Sequence, residues 1–130
     1  MSKTQENLLK AFTGESIARN KYTFYAQKAE AEGFIWIARV FLETADNERA
    51  HAEREYEFIQ GKVKMMNSYD LHALSTTLDN LKSAAEGEKY EWSTMYPDFE
   101  KEAREEKEDT IADVFKEVAE VEEKHEERYL

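Results

Sequence analysis

The chain repeats itself. Shifted by 74 residues, IARVFLETADNERAHAERE (37–55) falls on IADVFKEVAEVEEKHEERY (111–129), and Ile37, Ala38, Val40, Phe41, Glu43, Ala45, Glu48, His51, Glu53 and Arg54 all meet identical residues. At a shift of 73, Gly14-Glu15 meets Gly87-Glu88. This predicts two related helix hairpins facing one another. Each carries one E-x-x-H stretch, Glu48 with His51 and Glu122 with His125, so two of the three histidines share one setting.

Helix is the default because Pro occurs once, Gly four times, and Glu, Lys, Ala and Leu dominate. A first helix is expected from about Ser2 to Glu32, with Ser2 and Gln5 as a capping box and Gly33 as its stop. A second runs from about Phe34 to Gln60 and ends at Gly61. Residues 62–76 lack a helical period and read as a connection. A third helix begins near Thr77 with a kink expected at Pro97, and a fourth runs from an Asp109 N-cap to the C-terminus. Two short links and one long crossover are the connectivity of an all-α, ferritin-like four-helix bundle, one domain over 1–130.

Polar residues interrupt every apolar stripe. The stripes read Leu8, Phe12, Glu15, Ala18, Tyr22, Ala26, Ala29; Ile37, Phe41, Thr44, Glu48, His51, Glu55, Phe58; Leu81, Ala84, Glu88, Glu91, Met95, Phe99; and Ile111, Phe115, Val118, Glu122, His125, Tyr129. Each helix therefore sends at least one carboxylate toward the bundle axis. A lone buried carboxylate is costly, and clustering like charges makes it worse. No Lys or Arg occupies these positions, so bound cations are the expected compensation. Oxygen and imidazole donors suit iron or manganese, and zinc as a substitute. Two E-x-x-H helices plus a Glu from each of the other two is the di-metal carboxylate pattern of such bundles.

Other residues read more plainly. Glu55 falls two turns past Glu48 and is assigned to the solvent side or the bundle end. Tyr22 and Tyr96 read as core aromatics or as hydrogen-bond partners of the metal ligands. His72 is expected at the surface, and Met65 and Met66 in packing. The net charge of −11 disfavours nucleic acid and anionic membranes as partners. Without cysteine, disulfides, thiolate metal sites and thiol catalysis are excluded within these residues. No apolar run approaches the roughly 20 residues of a membrane span, and the N-terminus does not read as a signal peptide. A cytoplasmic location is expected.

The stretches AFTGESIARNKYTFYAQKAEAEGF, ETADNERAHAE, AAEGEKYEWSTMYP and EVEEKHEERY resemble the four helices of the rubrerythrin di-iron domain, across essentially the whole chain. The resemblance implies two iron ions bridged by Glu48 and Glu122. It makes Glu15 a terminal ligand of one, and Glu88 with His125 terminal ligands of the other. It makes Glu91 and His51 alternative ligands of the first iron, the carboxylate taken when oxidised and the imidazole when reduced. The implied activity is a peroxidase that reduces hydrogen peroxide to water. Ferroxidase or iron-handling chemistry and O₂ activation are the alternatives. Typical members continue into a four-cysteine rubredoxin-like segment; here the expectation is a rubredoxin-less member served by an external, rubredoxin-like electron donor. A homodimer is also implied.

Lys107 raises a question of assembly. The repeat places it opposite Gly33, where a helix stop belongs, and FEKEAREEKEDTIADVF holds no breaker. The last two helices are thus free to run on as one rod into a domain-swapped dimer.

Overall fold

The computed structural model describes residues 2–130. Among them lie α1 (Lys3–Ala31), α2 (Ile35–Glu57), α3 (Thr77–Tyr90), α4 (Tyr96–Glu105) and α5 (Asp109–Tyr129), with no strand. A π-helical turn, Glu91–Met95, joins α3 to α4 without a break, so four rods pack together. None of the helices is long and apolar enough to cross a membrane.

Ser2 caps α1 as expected, its hydroxyl accepting from the Gln5 N–H at 3.1 Å. The reciprocal half of the box is not made. Instead the Gln5 amide donates to the Phe58 carbonyl (3.0 Å) and accepts from the Gln60 N–H (2.9 Å). It thereby ties the end of α2 to the start of α1.

The α1–α2 turn closes with Gly33 at φ 86° and Phe34 N–H on the Ala29 carbonyl at 2.8 Å. The α4–α5 turn uses the same motif, Glu108 N–H on the Ala103 carbonyl at 2.8 Å, with Lys107 at φ 62° in the glycine's place. The chain therefore reverses at 106–108, and α5 packs on its own α3 and α4. This corrects the continuous rod and the swap that rested on it. A left-handed lysine costs roughly 1–2 kcal/mol, which the closed turn offsets. Asp109 is the first helical residue rather than the cap, and pairs with Arg104 at 3.6 Å.

Two carboxylates lock the hairpins together. Glu106, at the end of α4, accepts from the N–H groups of Lys3 (3.0 Å) and Thr4 (2.7 Å) and from the Thr4 hydroxyl. Glu32, at the end of α1, accepts from the Thr77 N–H (2.7 Å) and hydroxyl. Each thus satisfies orphan donors at the other hairpin's first turn.

The expected kink at Pro97 takes another form. The Tyr96 N–H reaches back to the Glu91 carbonyl, five residues rather than four, and Pro97 sits in the first turn of α4, where its missing N–H goes unneeded. This π turn holds one extra residue. Before it the halves align at a shift of 73 (Thr4 with Thr77, Glu15 with Glu88). After it they align at 74 (Tyr22 with Tyr96, Ala29 with Ala103, Glu32 with Glu106).

Apolar clusters flank the acids on both sides. One is built around Tyr22, Tyr25 and Phe41, the other around Tyr96, Phe99 and Phe115. These are equivalent residues of the two halves. Residues 62–76 carry no helix, and Met66 is 95% exposed, contrary to the packing role expected of it.

Candidate metal centre

The seven candidate ligands come from every rod: Glu15 on α1, Glu48 and His51 on α2, Glu88 on α3, Glu91 in the π turn, and Glu122 and His125 on α5. Residues three apart share a helix face, so each E-x-x-H pair is presented as a unit. Glu15, Glu48, Glu88, Glu122 and His125 are at most 2% exposed.

Six of the seven gather into two groups. Glu15, Glu48, His51 and Glu122 form one; Glu48, Glu88, Glu122 and His125 form the other; within each group the donor atoms lie within 4.8 Å of one another. Glu48 and Glu122 belong to both, the placement that bridging carboxylates need. In the first group, His51 Nδ1 lies 3.3 Å from Glu122 Oε1 and 3.6 Å from Glu15 Oε2. In the second, His125 Nδ1 lies 3.1 Å from Glu48 Oε1 and 3.5 Å from Glu88 Oε1. Glu91 stands outside both groups, with its Oε2 buried and unpartnered.

The electrostatics show what this arrangement costs a bare protein. Burial drives Glu48 and Glu122 well above the ordinary carboxylate range, and neighbouring acids push them further. Burial likewise lifts Glu91 to about 8, against a partial offset from its neighbour Glu122. Burial also raises Glu15, but the nearby Glu48 and His51 and the Tyr96 hydroxyl outweigh it and leave that acid below its usual value. Among the described residues, no Lys or Arg pairs with any of these groups. Both oxygens of Glu48 and of Glu122, Oε2 of Glu15, Glu88 and Glu91, and Nδ1 of both histidines are buried without a hydrogen-bond partner. Donor atoms left without hydrogen-bond partners, buried together and free of thiolate, fit a pair of divalent ions.

Surrounding groups hold the ligands in place. The Tyr22 hydroxyl donates to Glu88 Oε1 at 2.7 Å, and the Tyr96 hydroxyl to Glu15 Oε1 at 2.6 Å. Each tyrosine therefore supports the ligand of the opposite hairpin. The Asn47 amide meets Nε2 of His125 at 3.1 Å and fixes that ring with Nδ1 inward. His51 has no equivalent, since the repeat puts Val121 opposite Asn47. His72 is exposed, as expected, 3.8 Å from Glu86.

Glu55 is a correction. It is fully buried, not solvent-facing, and its Oε2 lies 2.7 Å from the Tyr96 hydroxyl. Its repeat partner is Tyr129, so the halves gave no hint of an acid there. The signal that could have found it was the α2 stripe itself, which includes position 55.

Comparison with known proteins converges on one family. The rubrerythrin family model matches residues 6–130. Rubrerythrin of Porphyromonas gingivalis is 46% identical over 99% of this chain and 65% of its own length. Rubrerythrin-1 of Clostridium acetobutylicum is 45% identical over 98% of this chain and 68% of its own. The chain thus spans about two thirds of these relatives. Among solved structures, mixed-valent nigerythrin superposes with a TM-score of 0.88 at 36% identity, covering 99% of this chain and 64% of that one. Fully reduced, all-ferrous nigerythrin gives 0.87 at 37%, covering 99% and 65%. With the fold, the paired donor groups and these relatives in agreement, the chain belongs to the rubrerythrin family.

Proposed function

We propose that the chain is a di-iron peroxidase that reduces hydrogen peroxide to two waters. The observation that carries this reading is the pair of unpartnered donor groups sharing Glu48 and Glu122. Iron is preferred over manganese or zinc because the related nigerythrin structure is described as all-ferrous. Bound there, the metal pair supplies two electrons and Lewis acidity to the peroxide.

The chain's own residues do the rest. Glu48 and Glu122 would hold both ions, Glu15 would hold one of them, and Glu88 with His125 would hold the other. Glu91 and His51 are assigned as alternative ligands on the Glu15 side, the harder carboxylate serving the oxidised state and the imidazole the reduced one. His51 lacks an outer partner comparable to Asn47, which supports its being the exchangeable imidazole. Tyr22 and Tyr96 orient Glu88 and Glu15. These residues hold no cysteine, and a rubredoxin-like electron donor outside them is the proposed partner. A homodimer and a cytoplasmic location belong to the same reading.

The test is anaerobic loading with ferrous iron followed by titration with peroxide. The expected result is two ferrous ions oxidised per peroxide, far faster than by O₂. Equal rates with O₂ would favour an oxidase, and uptake well beyond two ions per chain would favour iron storage.

A further inference from the structure

Three of the candidate ligands are held from outside: Glu15 by Tyr96, Glu88 by Tyr22 and His125 by Asn47. Glu48, His51 and Glu122 have no such partner but stand on regular α-helix, whose backbone ladder fixes their place. Glu91 has neither support. Its Oε2 is buried without a hydrogen bond, and it opens the π turn Glu91–Met95, where the rod takes up one extra residue. Neighbouring registers of a helix can absorb such a residue at similar cost, because each exchanges i→i+4 bonds for i→i+5 bonds. For Glu91 to face the centre, the turn has to be pinned.

The next residue supplies the pin. The Trp92 indole N–H donates to Glu126 Oε1 on α5 at 2.8 Å, in a partly buried contact. Among the described residues, it is the one side-chain hydrogen bond by which the turn reaches another rod. Ser93, by contrast, bonds only to the Lys89 carbonyl and to Thr94, both in its own rod. Glu126 follows His125 but belongs to neither donor group. The other hairpin has no π turn among its described residues and no such clamp. There the repeat sets Ala18 and Arg19 opposite Glu91 and Trp92, and Ala52 opposite Glu126. The acid, the indole and its acceptor are thus present together in one half and absent together from the other.

We infer that Glu126, acting through Trp92, is a positioning residue for Glu91. It pins the π turn at the register that presents the Glu91 carboxylate to the Glu15 side of the centre. The inference deepens the peroxidase reading and rests on its assignment of Glu91 as an exchangeable ligand. The clamp acts on the backbone one residue from Glu91 and leaves the carboxylate itself free. The side chain can then leave and return while its anchor stays in place. Without the clamp the turn is free to shift along the rod, and position 91 turns away from the centre for part of the time.

Three variants test it. Trp92→Phe keeps the ring but loses the N–H, Glu126→Ala loses the acceptor, and Glu126→Gln keeps a carbonyl oxygen that can still accept. The clamp itself is read in metal-free and zinc-loaded protein by NMR of the indole N–H groups during exchange into D₂O. Trp36, the other tryptophan and 76% exposed, is the internal reference. The Trp92 N–H should exchange about tenfold more slowly than that of Trp36 in wild type and E126Q, and about as fast in E126A. The positioning is read in ferrous-loaded protein, with each variant made both with Glu91 and with Glu91→Ala. Two irons per chain should bind throughout. With Glu91 present, W92F and E126A should slow peroxide-driven oxidation roughly fivefold, the size of a coupling between contacting residues, and E126Q should recover most of that loss. With Glu91→Ala they should add no further slowing. Equal exchange of the two indoles in wild type overturns the clamp. Unchanged oxidation in W92F and E126A overturns the positioning, and so does slowing that persists without Glu91, which marks a general structural role. If Glu91→Ala alone leaves oxidation unchanged, the ligand assignment fails and the positioning falls with it, while the exchange data still decide whether the clamp exists.

Discussion

The hairpin α1–α2 and the hairpin formed by the α3–α4 rod with α5 are the same object built twice, and their differences mark where chemistry acts. The framework is shared: Glu15 with Glu88, Glu48 with Glu122, His51 with His125, Tyr22 with Tyr96, Phe41 with Phe115. Such pairs suffice to hold two ions symmetrically. Symmetry ends at Ala18 against Glu91, Tyr129 against Glu55, and Val121 against Asn47. Two of these departures bear on the Glu15 side: Glu55 reaches it through Tyr96, and Glu91 is assigned to its metal. The third fixes His125 on the opposite side. The departures thus fall unevenly, two toward Glu15 and one toward His125.

The strongest way to break the comparison is to remove what both halves share. Glu48→Gln and Glu122→Gln should each abolish loading of both ions, whereas Glu15→Gln should spare the Glu88–His125 site; metal analysis after dialysis distinguishes the two patterns. Retention of two ions by E48Q would refute a shared carboxylate.

The next effect is on the metal-free protein. Glu91 has a folded value of about 8 against an ordinary 4.5, so between those values the folded chain binds more protons than the unfolded one. Stability then falls as pH rises through that window, by on the order of 3 kcal/mol, with Glu48 and Glu122 acting in the same direction. The loaded protein should show the opposite trend, because binding requires ionised ligands. Denaturant midpoints at pH 5 and pH 8, with and without metal, test the sign.

A smaller effect sharpens the asymmetry. Glu91→Ala makes position 91 match Ala18; it should keep both ions yet slow peroxide turnover about tenfold, or ~1.4 kcal/mol of barrier. Turnover equal to wild type would remove the ligand exchange assigned to Glu91.

The smallest effect concerns the two turns. Lys107→Gly relieves a left-handed side chain and should stabilise by about 0.5 kcal/mol, while Gly33→Ala, at φ 86° with open space around it, should destabilise by about 1 kcal/mol. Thermal midpoints moving in opposite directions would bear this out.

Much of this was legible in the residues, for physical reasons. Helix periodicity places i and i+3 on one face, so acids inside apolar stripes announce an interior polar cluster, and the repeat doubles the signal. The π turn was also written there, as the change from a 73- to a 74-residue shift, but a one-residue offset points to an insertion without saying where the helix absorbs it. Lys107 misled because a left-handed turn is normally marked by Gly, and only the closing hydrogen bonds reveal it. The α2 stripe marked Glu55 for burial, but its partner Tyr96 on α4 and the Asn47 partner His125 on α5 depend on which side chains meet across the bundle, which no spacing along α2 encodes.

The exchanged caps carry a consequence for how this chain assembles. Glu32 closes the start of α3 and Glu106 closes the start of α1, so neither half has a finished first turn until its partner has docked. A hairpin forming early frays at that end and gains its last hydrogen bonds only in the joined state. The two halves therefore do not behave as independent foldons: order in one is conditional on order in the other, and melting is expected as a single cooperative event.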